Sequence, residues 1–103
     1  MDAERDGRPG VEVVGEVFYW RGPAPFHYVR VPDAEAALIR ELAPVVSYGW
    51  GVIPVSGTLG STPFTTSLFP KDGGYLVPLK DAVRRAEGVQ LDDVVAIRLR
   101  IGR

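Results

Sequence analysis

The sequence predicts a mainly β fold: one small six-stranded β-barrel or pseudobarrel with two short helices capping its ends. Three observations lead there. Both ends of the chain alternate apolar and polar residues with the period of a half-buried strand, from Val11 to Trp20 and from Val95 to Ile101. Two stretches share the order strand, proline, helix, strand: Tyr28-Val29-Arg30-Val31-Pro32 leads to Gly51-Val52-Ile53-Pro54-Val55, and Tyr75-Leu76-Val77-Pro78 leads to Val94 through Leu99. Such a pseudo-repeat suits two interlocked halves, since neither alone can bury its apolar face. Finally, 103 residues with 46% hydrophobic content suffice for one core and not for two.

Taken in order, Met1 to Gly10 is polar and rich in charge, and is expected to be a flexible leader outside the fold, leaving 11–103 as a single barrel domain. Val11 to Trp20 sets Val11, Val13, Gly15, Val17 and Tyr19 on one side and Glu12, Val14, Glu16, Phe18 and Trp20 on the other. Phe26 to Val31 is a second strand, closed by Pro32, which cannot donate to a ladder. Asp33 is an expected N-cap. The helix Ala34 to Leu42 then lines up Ala34, Ala37, Leu38 and Leu42, and Pro44 is expected to stop it. Tyr48 to Leu59 and Thr62 to Phe69 read as an antiparallel pair joined by Gly60-Ser61, the composition of a type II′ turn. Pro70 to Gly74 reads as a loop and Tyr75 to Val77 as a strand closed by Pro78. A second helix turns Leu79, Ala82, Val83 and Ala86 inward and ends at Gly88. After the turn Leu91-Asp92-Asp93, the last strand points Val95, Ile97, Leu99 and Ile101 in and Ala96, Arg98 and Arg100 out.

Composition narrows the chemistry. Without cysteine there is no disulfide framework, thiol nucleophile or thiolate metal site, and the lone His27 cannot build a multi-histidine centre, so no metal or cofactor is expected. No apolar run approaches membrane-spanning length and the start is polar, which predicts a cytoplasmic protein with no membrane association. The net charge of -1 gives no global field for polyanions. Charge is uneven, however: residues 1–70 hold 5 basic and 8 acidic side chains and residues 71–103 hold 7 and 5, so any anion-facing surface belongs to the last third.

Within that third, Lys80 and Arg84 stand four apart on the outer face of the second helix. Asp81 is expected to pair with Arg85 and Glu87 to reach Arg84, while Lys80 has no acid one turn away and is the freer cation. It also falls at the start of the helix, where N–H groups and the macrodipole favour an anion. Tyr75 and Ser67 are candidate hydroxyl donors beside it. Arg98, Arg100 and Arg103 form a basic ridge that could join Lys80, Arg84 and Arg85 on nucleic-acid phosphates, or pair across strands with Glu12 and Glu16. Phe18, Tyr19, Trp20, Phe26, Tyr28, Tyr48 and Trp50 crowd the first half and are expected mostly in the core; Trp20 and Trp50, beside Gly- and Pro-containing turns, could instead line a pocket mouth. His27 as a general base would need an orienting acid and a nucleophile; Thr65, Thr66 and Ser67 supply hydroxyls, and the sequence places no acid nearby. Phosphate-loop, dinucleotide and nucleophile-elbow motifs are absent from the sequence.

The runs Phe64-Thr-Thr-Ser-Leu-Phe-Pro70, Gly74-Tyr75, Val77-Pro78-Leu79-Lys80, Val83-Arg84 and Asp93-Val-Val-Ala-Ile resemble the domain-of-unknown-function family nineteen-zero-five, over nearly the whole chain after Val11. That family is similar to the double-split β-barrel group, which includes AbrB- and MazE-type transcription regulators and antitoxins and implies a bacterial or archaeal source. Val77-Pro78, Arg84-Arg85, Gly88 and Asp93 echo the order of those regulators, with a longer helix here. Asp92 stands where the family usually has Gly, and Asp tolerates a left-handed turn. The resemblance implies no established activity. Family members sometimes occur fused to a YdeI-like or OmpD-associated-like domain, which implies a module acting with a partner, alone or in trans. Three readings stand: a non-catalytic binding module whose Lys80/Arg84 helix start, with Tyr75, Ser67 and Trp50 as further candidates, receives an anionic small ligand or nucleic acid; an interaction domain docking a protein partner or forming a homodimer; and an enzyme using His27 and a hydroxyl.

Overall fold

A computed structural model describes residues 7–21, 26–49 and 51–102. Six strands, β1 (Gly10–Trp20), β2 (Phe26–Arg30), β3 (Ile53–Leu59), β4 (Thr62–Lys71), β5 (Gly74–Leu79) and β6 (Val94–Ile101), close into a barrel in the order β1-β2-β5-β4-β3-β6. Every pairing is antiparallel. Two helices, α1 (Asp33–Val46) and α2 (Asp81–Glu87), leave β2 and β5. Exchanging β1 with β4, β2 with β5 and β3 with β6 maps the set of strand pairings onto itself, so the repeated order in the sequence is a two-fold topology: each half lends its strands to one barrel.

Period-two alternation decides what each strand puts inside. Val13, Val17, Val29, Ile53, Val55, Leu59, Leu68, Val77, Leu79, Ile97, Leu99 and Ile101 fill the interior, and the last strand faces as its pattern requires. Closure leaves no sheet edge within the barrel. The interior is aliphatic apart from Tyr75 and the half-buried Phe64, whose ring occupies the space over the opposed Gly57. Most N-terminal aromatics are therefore not in the core, contrary to the sequence expectation. Phe18, Trp20 and Tyr28 alternate with Val17 and Val29, and the valines take the inside because a barrel this narrow has no room for a ring at every position.

Several boundaries differ from the sequence reading for local reasons. Pro44 does not end the first helix, which runs to Val46: proline removes one late hydrogen bond, and burial of Ala43 and Val46 against the core holds the final turn. The buried stripe is Ala36 and Ile39 with Leu42, Ala43 and Val46, while Ala34, Ala37 and Leu38 face solvent; in an alanine-rich helix two neighbouring stripes satisfy the same spacing. Pro32 rather than Asp33 is the residue at the cap, with no side-chain bond. The strand expected from Tyr48 begins at Ile53, because Tyr48 and Val52 bond back to each other across a tight loop. Pro70 and Lys71 extend β4, and Asp72-Gly73, at φ 52° and 77°, makes the two-residue turn of positive φ that an Asp-Gly pair favours. Gly60 adopts φ 61° between the paired Leu59 and Thr62, as the hairpin reading requires. Pro78 lies inside β5, opposite Tyr28, and Leu79 belongs to that strand and not to α2. Ala82 and Ala86 are exposed, leaving Val83 as the residue α2 buries. Arg8, at the end of the expected leader, is bound to the barrel: its guanidinium donates to Ser56 Oγ at 3.0 Å and Gly102 O at 3.2 Å.

Candidate functional site

Strand register builds one cleft. Tyr19, His27 and Leu79 stand in a row across β1, β2 and β5, and two residues after Leu79 the chain enters α2. This places Tyr19 and His27, whose side of the strand would point inward, at the mouth of the barrel beside Asp81 and Arg84. With Phe26 and Lys80 they line a depression of about 430 Å³. The Tyr19 and His27 rings meet edge to face, 5.1 Å between centroids.

Around this cleft stand two cations, Lys80 and Arg84, one carboxylate, Asp81, and the His27 imidazole. Arg84 Nη2 donates to Asp81 Oδ1 at 2.5 Å, and Arg85 approaches the other carboxylate oxygen at 3.7 Å. Asp81 is accordingly held below its usual range, first by the Arg84 hydrogen bond and then by Arg84's charge. Burial pushes the His27 imidazole below its ordinary value, the Arg84 charge pushes it the same way, and Asp81 opposes both. Arg84's Nε is buried with no hydrogen-bond partner among the described residues, while Nη2 is held by Asp81. Lys80 Nζ donates to the Thr65 carbonyl at 2.8 Å, tying α2's start to β4 while leaving Lys80 exposed.

Lys80 and Arg84 line the same depression. With seven residues α2 has two turns, too few for a helix dipole to draw an anion by itself; side-chain charge makes this cleft. Glu87 does not reach Arg84. Its carboxylate instead accepts from Ser61 N at 3.3 Å, from Ser61 Oγ at 3.5 Å and from Thr62 Oγ1, clamping α2 to the β3–β4 turn. Tyr75 is in the barrel core, and Ser67 Oγ shares a 2.6 Å hydrogen bond with the Tyr48 hydroxyl in a separate depression. Neither hydroxyl faces Lys80. Trp50 and Arg103 lie outside the described residues.

His27 makes no hydrogen bond to a carboxylate or hydroxyl among the described residues, and Thr65 to Ser67 lie two strands away across β5. Among the described residues, no hydroxyl and carboxylate are hydrogen-bonded to His27 as a hydrolytic role would need. No three His, Asp or Glu side chains among the described residues come close enough to hold a metal.

A family model described as Domain of unknown function (DUF1905) matches residues 14–99. The chain belongs to this family. No curated protein matches it. The DUF1905 match runs from within β1 through most of β6 and includes every described residue of the cleft.

Two further surfaces lie outside this cleft. On the outer face of β1, β2 and β4, four rings surround the buried Tyr28: Phe18, Trp20, Phe26 and Phe69 lie with centroids 5.8–6.3 Å from it. The signal was present in the even positions 18 and 20, opposite the inward valines. On the far side, Arg98 and Arg100 share a groove of about 530 Å³ with Arg8, Ser56 and Thr58. Arg98 stands directly opposite Glu12, yet no ion pair joins them among the described residues. These arginines and the Lys80/Arg84 pair occupy separate depressions rather than one basic patch.

Proposed function

We propose that this chain is a non-catalytic binding module that receives an anionic group in the cleft formed by His27, Lys80 and Arg84. The observation behind this reading is the convergence of the Lys80 and Arg84 cations and the His27 imidazole on one depression that holds a single carboxylate, Asp81. A guanidinium presents its donors as a planar fork suited to an oxyanion. Asp81 neutralises part of the site and fixes Arg84's orientation. Lys80, its ammonium held at the Thr65 carbonyl, supplies a point charge at the rim, and Tyr19 and Phe26 line the cleft.

Sulfate titration followed at His27 by NMR tests this directly. His27 is the chain's lone histidine, so its imidazole signals need no disentangling. Sulfate keeps one charge across the relevant pH range, and its binding should draw the His27 pKa upward. Lys80→Ala and Arg84→Gln should each weaken that response about tenfold or more, the scale of one charge-assisted hydrogen bond. An imidazole indifferent to sulfate would remove the anion site.

A further inference from the structure

We infer that the anion is a phosphate of an unpaired nucleic-acid strand whose bases stack on the aromatic outer face next to the cleft. This rests on the anion reading above and adds a ligand class to it. The face and the cleft are one surface, because Phe26 belongs to both: it lines the cleft beside Lys80 and Arg84 and stands edge-on to Tyr28 at 6.0 Å. Beyond Tyr28 the rings continue to Trp20 and Phe69, 6.0 Å apart. Phe26 and Phe69 are 43% and 38% exposed, so two accessible rings flank a buried one, a spacing for successive bases rather than for a single ring. A third cation accompanies the rings, with Lys71 Nζ 4.5 Å over the Trp20 ring.

That placement separates nucleic acid from a protein partner. Protein interfaces keep charge at the rim and strip it from the centre. Here a lysine sits over a ring of the platform, as in surfaces that combine stacking with backbone neutralisation. Unpaired strands expose base faces that a duplex hides. Asp72, 3.8 Å from Lys71, and the net charge of -1 limit the electrostatic share. With Lys71, Lys80 and Arg84 as the phosphate contacts, the logarithm of affinity should fall against the logarithm of salt with a slope of about -2.

Fluorescence anisotropy with a labelled oligothymidylate, and with an abasic strand of equal length, tests the assignment. The oligothymidylate should bind more tightly than the abasic strand. Phe69→Ala should weaken it about 5- to 150-fold while leaving abasic binding unchanged. Phe69→Leu, which keeps apolar bulk but has no π-face, should do the same, so a packing defect in the alanine variant does not decide the result. Equal affinity for both strands, no effect of either variant, or no binding at low salt would overturn the assignment, the last leaving the face to a protein partner. Sulfate's effect on His27 reads the cleft alone: if it persists while the strand fails, the ligand class is wrong and the anion site stands.

Discussion

Replacing Gly57 by alanine isolates one steric fact of this barrel. A Cβ built at Gly57 would lie 2.5 Å from Phe64 Cζ and 2.9 and 3.0 Å from the two ring Cε atoms. Carbon atoms pack best at about 3.5–4.0 Å, so the ring must retreat by roughly 1 Å, and it is packed against the core cluster. Overpacking of this kind costs about 1–3 kcal/mol. Gly57 is not among the left-handed residues, so alanine meets no backbone strain there and recovers about 0.4–1 kcal/mol by restricting the unfolded chain. The net expectation is a loss of about 1–2 kcal/mol, or a Tm lower by roughly 5–15 °C. Urea denaturation of Gly57→Ala, Phe64→Leu and the double variant measures it. In the Phe64→Leu background the shorter side chain relieves the clash, and Gly57→Ala should become neutral or slightly stabilising. A single variant as stable as the parent, or a coupling energy within about 0.3 kcal/mol of zero, would refute the steric account.

Two further outcomes follow from the cleft and its clamp. Because burial and Arg84 lower the folded-state pKa of His27 from 6.5, the unfolded chain takes up a proton first, and stability should fall as pH drops from about 6.5 toward that lowered value. His27→Gln should flatten this limb, leaving a second loss at lower pH as the depressed Asp81 carboxyl is protonated and its Arg84 pairing ends; denaturation midpoints measured from pH 7 downward check both. Glu87→Ala should cost about 1 kcal/mol and speed amide exchange at Ser61, whose N–H donates to the Glu87 carboxylate. Unchanged exchange there would show that the clamp does not hold the turn.

What the sequence determined by itself is the set of local decisions. Alternation put Val95, Ile97, Leu99 and Ile101 inside, Gly60-Ser61 turned the chain, and Gly88 ended α2 in the left-handed conformation its missing Cβ allows. The repeated strand-proline-helix order even announced the two-fold barrel, because such a pattern is local in each half. Asp72-Gly73 was equally legible as a hairpin signal, though the sequence reading treated it as a loop. The tertiary structure alone decided whatever depends on which strands become neighbours. The meeting of His27 with Lys80 and the separation of Ser67 and Tyr75 from them follow from register across β1, β2, β5 and β4, and the β3–β4 turn draws Glu87 away from Arg84. Whether an aromatic faces the core or the outside was likewise open, since alternation fixes two faces without naming the inner one. Barrel closure chose, and its narrow interior gave the valines the inside and left the rings on the surface.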